Sequence, residues 1–227
     1  MQRIELLASL AMGSNSLLDL GCDHAYVLIE AIKKYDVKQG IASDISNGPL
    51  KMAKDSIIKA NLDDKIEIIL SDGFQNINSY FDTCIIAGMG GLLIKDIIDK
   101  GLSKLDNKKL ILEPNNKQYE LRKYLNQNGF KIIDEYSILD QNKYYEIIVV
   151  IKEEESLSEF ELKYGPILLQ KRDDVFLKYY QDKYNFLNNI YKDITDPIER
   201  NNKIELLNDY KNILEDNYGE KIHSKHN

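Results

Sequence analysis

Cysteine and long apolar runs are scarce in this sequence, and each scarcity excludes a class of protein. The two cysteines, Cys22 and Cys84, are too few for a disulfide framework and are not spaced as metal ligands. No apolar run approaches the roughly 18 residues that a membrane-spanning helix needs. The apolar patch near the N-terminus is too short for a signal peptide and predicts a helix instead. We therefore expect a cytoplasmic protein with no membrane segment and no metal.

Positive charge is also in short supply. The 227 residues include 30 lysines and arginines against 37 aspartates and glutamates, which gives a net charge of −7. This balance argues against a general nucleic-acid binder, whose phosphate contacts come from basic residues, but it allows a local basic patch. The hydrophobic content of 43% and the charged content of 30% are typical of a packed protein with one large domain, or one domain and an appendage.

Short apolar segments alternate with amphipathic ones over the first part of the chain. The apolar runs predict strands buried on both faces of a parallel sheet, at 16–20, 39–45, 66–71, 83–87 and 109–113. The other segments predict helices at 25–34, 49–60 (with Pro49 at the first position), 92–100 and 117–128. Two longer strand patterns, 130–138 and 144–152, are close enough to pair antiparallel. The pattern predicts an α/β fold with a Rossmann-like, doubly wound sheet.

The composition changes near the acidic segment 152–158, and we place a domain boundary there. Residues 1–155 form the predicted Rossmann-like domain, whereas residues 156–227 are expected to be helical. One helix should stop at Asp196, and another starts there because Asp196 can cap it, Pro197 suits the first position and Glu199 completes a capping box. The first helix carries a wide apolar stripe, which needs burial on a partner helix: Val175, Tyr179, Phe186 and Ile190, flanked by Phe176, Tyr180, Leu187 and Tyr191. The facing stripe would contain Ile204, Leu207, Tyr210 and Leu214. These features predict a helical hairpin, with a lead-in helix near residues 164–166 and a frayed tail at 223–227.

A glycine-rich phosphate loop is missing where this fold would place one. The stretch LDLGCDHAY, residues 18–26, has Gly21 for a tight strand-to-helix turn but lacks the further glycines that bind pyrophosphate. Asp23 would repel an anion, so a dinucleotide or ATP is disfavoured and a cationic ligand is favoured. S-adenosyl-L-methionine (SAM) is such a ligand, and Asp19 and Asp23 are placed to hold its amino-acid end. His24 either bonds the ligand carboxylate or caps the helix.

Two further strand ends carry acids that suit the same ligand. Asp44 and Ile45 end the second strand, about 20 residues past the glycine turn, where an acid accepts both ribose hydroxyls of SAM or of NAD. Asp72 and Gly73 follow the third strand. An acid at this point can accept from an adenine amino group, although Asp-Gly is also ordinary turn chemistry.

The fourth and fifth strands end in sequences that suit an acceptor cleft. Three glycines within residues 87–91 let backbone pass close to a ligand, or let a helix pack tightly on the sheet. After the fifth strand, Asn115 can present its amide to a base edge and Glu113 can point into the cleft, whereas Pro114 equally suits a plain turn. The two cysteines are interpreted as small core residues.

Several of these segments together resemble the bacterial tRNA (adenine-22-N1)-methyltransferase family. They are Asp-Leu-Gly-Cys-Asp-His-Ala-Tyr at 19–26, Ala-Gly-Met-Gly-Gly at 87–91, Leu-Glu-Pro-Asn at 112–115, Tyr-Glu-Ile at 145–147 and Tyr-Gly-Pro at 164–166. The resemblance covers essentially the whole chain and departs at Cys22, where Ser is expected, and at Glu113, where Gln is expected. It implies a SAM-binding Rossmann-like domain, a coiled-coil-like helical domain, and methylation of N1 of an adenine in the D-loop region of tRNA.

The resemblance and the residue patterns together imply roles for individual residues. The expected cofactor-binding set is Asp19, Gly21, Asp23, His24, Asp44, Ile45, Asp72, Gly73, Ala87, Gly88 and Met89. The expected catalytic set is Asp23, Tyr26, Glu113 and Asn115. The expected substrate-binding set is Arg3, Tyr26, Gly90, Gly91, Pro114, Asn115 and Tyr145.

The implied reaction is a direct in-line transfer in which adenine N1 attacks the methyl carbon of SAM. N1 already has a lone pair, so catalysis can rest on positioning and charge stabilisation without a base. N1 lies on the Watson–Crick edge, so the base must be unpaired or flipped out. Tyr26 either stacks on that base or packs in the first turn of its helix. Contacts with tRNA are expected from local basic clusters, namely Arg3, Lys33 with Lys34, and Lys171 with Arg172. The protein is expected to be a monomer or a weak dimer.

Three other functions fit parts of the sequence. A methyltransferase acting on another RNA, a protein or a small molecule would need the same SAM site. An NAD-linked oxidoreductase is compatible with Asp44 but is opposed by Asp23 and by the missing glycines. A non-catalytic SAM-binding scaffold remains open because fold alone does not define function.

Overall fold

A seven-stranded mixed sheet organises the chain. The computed structural model describes residues 2–191 and 194–215. The strands are β1 (Ser16–Leu20), β2 (Gln39–Asp44), β3 (Ile66–Leu70), β4 (Thr83–Met89), β5 (Lys109–Pro114), β6 (Phe130–Asp140) and β7 (Lys143–Lys152). Their spatial order is β3-β2-β1-β4-β5-β7-β6, and β7 is antiparallel to both of its neighbours, whereas the other pairings are parallel. The predicted Rossmann-like sheet with an antiparallel pair is confirmed.

α-Helices cover both faces of this sheet and continue after its last strand. They are α1 (Gln2–Leu10), α2 (Tyr26–Lys34), α3 (Asn47–Lys59), α4 (Gly91–Gly101), α5 (Gln118–Gln127), α6 (Glu159–Tyr164), α7 (Pro166–Lys171), α8 (Asp174–Ile190) and α9 (Pro197–Leu214). The helix expected at the N-terminus and the lead-in expected near residues 164–166 are both present, the latter as the two short helices α6 and α7. Within the described ranges, no helix is both long and apolar enough to cross a membrane.

Neighbouring residues of each central strand enter different cores. Leu17 of β1 lies in a cluster with residues of α1, α2 and α3, whereas Leu18 lies in a cluster with residues of α4 and α5. Successive side chains of a strand point to opposite faces, so a continuous apolar run requires helices on both sides. The strand order reverses between β1 and β4. The carboxyl ends of these two strands therefore flank the crevice in which open α/β sheets bind ligands.

Two element ends differ from the prediction for local reasons. Helix α3 begins at Asn47, so Pro49 occupies its third position rather than its first. Proline is tolerated there because the first-turn N–H groups have no partner within the helix. Strand β4 continues past Ala87 to Met89, and its register with β5 shifts between those two residues. The shift is a β-bulge at Gly88, which has a φ of 76° that glycine adopts without steric cost.

The C-terminal helices form a third apolar cluster, in which the residues predicted to flank the α8 stripe are more deeply buried than those at its centre. The buried residues of α8 are Phe176, Tyr180 and Leu187, whereas Phe186 is 67% exposed. On α9 the buried residue is Ile213, and Ile204 is 37% exposed. The flanking residues are the more buried ones because α8 packs on β6 as well as on α9, so its buried face is set by two neighbours. The Asp196 carboxylate accepts from the Glu199 N–H and caps α9 as predicted.

A buried ionic network joins the sheet to these helices. The Arg122 guanidinium, fully buried, contacts Glu135 at 2.7 Å and Glu146 at 2.6 Å. Glu135 also accepts from the N–H groups of Ile167 and Leu168 at the start of α7. The helical segment is thus bonded to the antiparallel strands β6 and β7. The division after residue 155 remains a proposal, and the tail predicted at 223–227 lies outside the described residues.

Candidate functional site

The turn after β1 is built from an unusual run of left-handed residues. Gly21, Asp23 and Ala25 have φ angles of 79°, 46° and 56°. The N–H groups of Gly21 and Cys22 donate to the Ser43 carbonyl at the end of β2. A Cβ at Gly21 would lie 2.2 Å from the Met89 Cε atom, so a larger residue would require the Met89 side chain to move, in addition to adopting an unfavourable φ. This turn therefore depends on glycine for both its conformation and its contact.

Two carboxylates lie side by side at the ends of β1 and β2. Asp19 is only 4% exposed, and burial together with the neighbouring charge of Asp44 raises its pKa from 3.8 to about 7. Asp44 is better solvated and accepts from the N–H and hydroxyl of Ser46 at the start of the next turn. Burial disfavours the ionised form of a carboxylic acid, and a nearby positive charge favours that form because opposite charges attract. The pair can therefore hold a positively charged ligand.

The residues after Gly21 present an exposed aromatic surface beside this pair. The His24 and Tyr26 rings are stacked, with centroids 5.1 Å apart, and Tyr26 is 51% exposed. The Asp23 carboxylate lies 3.8 Å from His24 Nε2 and is mostly exposed. Tyr26 is the first residue of α2. Its ring is not packed in a core, so it remains accessible to a planar ligand such as a nucleobase.

The third strand ends in a tight turn close to a small cavity. Gly73 has a φ of 55°, and its carbonyl accepts from the Ser71 hydroxyl. Asp72 is exposed and, with Gly73 and Ile97, lines a cavity of about 90 Å³. Ile45 is also exposed, at 67%. Asp72 and Ile45 therefore lie exposed after the carboxyl ends of β3 and β2, which are neighbours in the sheet.

The bulge at the end of β4 is held by a carboxylate from β5. The Gly88 N–H donates to Glu113 Oε2 at 3.1 Å, and the Arg3 guanidinium donates to the same oxygen at 2.7 Å. Glu113 has no exposed side-chain surface. Burial raises its pKa, and the Arg3 charge opposes that shift. Glu113 thus lies behind the cleft, where it contacts protein groups.

Aromatic and basic side chains of β7 surround this carboxylate. The Arg3 guanidinium lies over the Tyr145 ring at 4.9 Å, and Lys143 Nζ lies over the same ring at 4.8 Å. Lys143 also donates to the Asn115 side-chain oxygen at 3.4 Å. The Asn115 N–H donates to the Met89 carbonyl at 2.8 Å, which ties the ends of β4 and β5 together. The structure therefore brings Arg3, Glu113, Asn115 and Tyr145 into one patch, which also contains Lys143.

The glycines and proline of this patch have packing roles. A Cβ at Gly91 would lie 2.6 Å from the Asn116 carbonyl oxygen, and one at Gly90 would lie 3.3 Å from the Asn116 side chain. The Gly91 N–H also donates to that carbonyl. Pro114 is the buried last residue of β5. These residues shape the start of α4 so that it closes against the β5 loop.

Most of the basic clusters expected to contact tRNA are engaged within the protein. Arg3 pairs with Glu113, and Lys171 bonds Asp134 at 2.5 Å. The Arg172 guanidinium donates to the carbonyls of Ile213 and Leu214 at the end of α9. These three side chains therefore make structural contacts, and their expected role as a phosphate-binding surface gains no support.

The two cysteines are buried and are poor nucleophiles. Burial is the main cause that raises the pKa of both the Cys22 and the Cys84 thiol, so neither thiol forms a nucleophilic thiolate readily. In the part of the chain that the structure describes, no three His, Cys, Asp or Glu side chains are grouped as metal ligands. A separate cleft of about 330 Å³, lined by Ser16, Gln39 and Tyr80 among others, lies at the amino ends of the strands, away from this site.

Comparison with known proteins identifies the family. The family model for tRNA (adenine(22)-N(1))-methyltransferase, TrmK, matches residues 17–216. The chain belongs to the TrmK family. A Bacillus subtilis tRNA (adenine(22)-N(1))-methyltransferase is 30% identical over 95% of both chains.

Solved structures agree with this TrmK assignment. The crystal structure of a Streptococcus pneumoniae protein in complex with S-adenosyl-L-methionine is similar with a TM-score of 0.86 and 33% identity, covering 94% of this chain and 99% of that one. The crystal structure of the B. subtilis m1A22 tRNA methyltransferase TrmK has a TM-score of 0.80 and 28% identity, covering 94% and 97%. The predicted SAM-dependent methyltransferase class is confirmed.

The sequence did not reveal two features of this TrmK chain. Lys143 begins β7 next to the expected substrate residue Tyr145, but a single lysine after a turn carries no signal of its own. Arg122, Glu135 and Glu146 are far apart in sequence and look like ordinary charged surface residues. Glu135 and Glu146 alternate with apolar neighbours in 130–138 and 144–152, but only the pairing of β6 with β7 and the packing of α5 on β6 show that both meet Arg122.

Proposed function

We propose that this chain transfers the methyl group of SAM to N1 of adenine 22 in tRNA. The observation that carries the proposal is the pair Asp19 of β1 and Asp44 of β2, beside the switch point between β1 and β4. The pair forms an acidic pocket edge at a glycine turn, which suits a cationic cofactor and disfavours a pyrophosphate. The proposed acceptor, N1 of adenine 22 in tRNA, rests on membership of the TrmK family.

SAM would bind along the carboxyl ends of β1 to β4. Asp19 and Asp23 attract its ammonium and sulfonium groups, and Gly21 lets the backbone approach them. Asp44 accepts from the ribose hydroxyls once it exchanges the bonds it makes to Ser46. The remaining proposed cofactor contacts are His24, Ile45, Asp72, Gly73, Ala87, Gly88 and Met89.

The target adenine would enter from the side of Tyr26 and Asn115. Tyr26 offers an exposed ring for stacking, and Asn115 offers an amide to the base edge. Attack by N1 on the methyl carbon breaks the bond from that carbon to sulfur, which leaves S-adenosylhomocysteine and a cationic methylated ring. Asp23 lies at the exposed end of the turn, where its negative charge can stabilise that cation. No residue has to remove a proton.

The tRNA body would contact the face that contains Gly90, Gly91, Lys143 and Tyr145. The helices after residue 155 would form a second domain that recognises the shape of the tRNA. We also propose that the protein acts in the cytoplasm, where tRNA is available, as a monomer or weak dimer. Because Arg3, Lys171 and Arg172 have internal partners, the phosphate contacts are few. Binding should therefore be weak and depend on salt.

Methyl transfer from labelled SAM to unmodified bacterial tRNA tests the proposal. Digestion and nucleoside analysis should recover the label as N1-methyladenosine. Label in another nucleoside would redirect the substrate assignment to another RNA position. SAM binding by calorimetry without transfer to any RNA would favour a small-molecule methyltransferase or a SAM-binding scaffold instead.

A further inference from the structure

Arg3 and Glu113 form a buried connection between helix α1 and the bulge in β4. Residues 3 and 113 are 110 positions apart in the chain, yet the Arg3 guanidinium meets Glu113 Oε2 at 2.7 Å. The same oxygen accepts from the Gly88 N–H at 3.1 Å. A single carboxylate oxygen therefore joins three elements, α1, β4 and β5. The sequence suggested substrate binding for Arg3 and catalysis for Glu113, whereas in this arrangement the two charged groups bond to each other.

The Gly88 N–H needs this acceptor because it sits in a bulge. A bulged residue has no ladder partner on the neighbouring strand, and the register between β4 and β5 breaks between Ala87 and Met89. A glycine with a φ of 76° has many other conformations available, so it keeps this one only if something holds it. The charge-assisted bond to Glu113 is suited to that task.

The position of the bulge matters for the cofactor turn. The Met89 carbonyl accepts from the Asn115 N–H, and a Cβ at Gly21 would lie 2.2 Å from the Met89 Cε atom. A change at Gly88 would therefore shift Met89, and with it both the cofactor turn and the loop that carries Asn115. A misplacement of about 1 Å in such groups can lower a rate roughly 100-fold.

We propose that Arg3 and Glu113 are positioning residues: Arg3 holds the Glu113 carboxylate, and Glu113 holds the Gly88 N–H so that the bulge keeps its shape. This inference rests on the proposed function and refines it, because it moves Arg3 from tRNA binding and Glu113 from catalysis to support of the cleft. The Tyr145 ring under the guanidinium fixes Arg3 from the other side. Glu113 Oε1 is buried and has no hydrogen-bond partner among the described residues, so the Oε2 bonds carry the connection.

Substitutions separate positioning from chemistry because glutamine keeps the acceptor oxygen. Glu113→Gln can still accept from Arg3 and Gly88, so its kcat should stay within about threefold of the wild type, since a neutral bond is roughly half as strong. Glu113→Met removes the acceptor, and its kcat should fall about 10- to 100-fold. Arg3→Met should fall to a similar level, with partial recovery in Arg3→Lys. The Arg3→Met/Glu113→Met double variant should be no slower than the slower single variant, because both remove one connection.

The tRNA affinity separates positioning from phosphate binding. Arg3→Met should keep the salt dependence of tRNA binding, whereas loss of a phosphate contact would reduce the slope of log K against log salt by about 0.7 to 0.9. Lys38→Met is the matched control, since Lys38 forms an exposed ion pair with Asp36 at the opposite edge of the sheet. That variant should keep kcat and KM.

An inactive Glu113→Gln variant would overturn the proposal and indicate a catalytic carboxylate. An Arg3→Met variant with unchanged kcat and a smaller salt dependence of tRNA binding would overturn it and indicate that Arg3 contacts RNA. Hydrogen exchange at the Gly88 amide gives a readout that does not need activity. Exchange should be faster in Arg3→Met and Glu113→Met and unchanged in Lys38→Met. Equal exchange in all three would refute the connection, even if the wild type forms no N1-methyladenosine and the proposed function fails.

Discussion

Asp19 should couple SAM binding to the release of a proton. Its carboxyl is buried beside Asp44, which raises its pKa to about 7, so near neutral pH it is only partly ionised in the free protein. A cationic ligand binds the ionised form, and therefore SAM should displace the proton. The cysteines that face the same region stay neutral because burial raises their pKa values.

The size of the effect follows from the pKa. A group with a pKa of about 7 is roughly 10% ionised at pH 6 and about 90% ionised at pH 8. If only the ionised form binds, Kd should fall about tenfold as the pH rises from 6 to 8. Near pH 6, each binding event should release about 0.9 proton.

Calorimetry in two buffers of different ionisation enthalpy measures this release directly. The Asp19→Asn variant is the control, because it keeps the ligand and all other titrating groups while losing this one. Its proton release near pH 6 should be close to zero. A wild type that releases no proton, and whose Kd does not change between pH 6 and 8, would refute the assignment of Asp19 to the cationic end of the cofactor.

The remaining predictions concern stability, the acceptor site and the junction of the helices. Asp19 binds a proton more tightly in the folded protein, so the free energy of unfolding should fall as the pH rises from about 4 to about 7. In denaturant titrations at pH 8 without SAM, Asp19→Asn should be more stable than the wild type by at most about 4 kcal/mol. Tyr26→Ala should lower kcat/KM for tRNA about tenfold or more with SAM affinity unchanged, since base stacking is worth about 1–3 kcal/mol, and equal loss of SAM affinity would place Tyr26 in the cofactor site. Lys143→Met should weaken tRNA binding and reduce its salt slope by about 0.7 to 0.9; an unchanged slope would remove Lys143 from the RNA face. Gly165→Ala should destabilise the protein by more than Gly129→Ala does. Both glycines have a positive φ, but only a Cβ at Gly165 would meet Glu135 and Arg122, at 2.7 and 2.9 Å. Equal losses of stability in thermal unfolding would show that the ionic network adapts.

The central fold could be predicted because its local signals agree. Each strand of the parallel sheet is a short apolar run, since both of its faces are buried, and each following helix starts at turn residues. Pro49 was misplaced because the first turn of a helix tolerates proline at several positions, so the pattern did not fix the first residue. The predicted stripe of α8 was wide, and the sequence did not show which part of it is most buried, because apolar residues at two adjacent registers compete. Contact with β6 favours Phe176 and Tyr180.

The candidate site was predictable only in part. The acids at strand ends and the glycine turn were visible, because their spacing follows from the topology of the sheet. The partners of Arg3 and of Lys171 were not, because the sequence does not show which surface-like charges meet across 110 or 37 positions. The sequence therefore suggested that Arg3 and Lys171 contact RNA, whereas in the structure both form internal ion pairs.

Methyl transfer to a matched pair of tRNA transcripts tests the central claim most directly. One transcript carries adenine at position 22, and the other carries guanine there, with the rest of the sequence unchanged. After reaction with SAM, mapping of the product should place N1-methyladenosine at position 22 of the first transcript and no methylation on the second. Equal methylation of both transcripts, or methylation of the first at another nucleotide, would contradict the account.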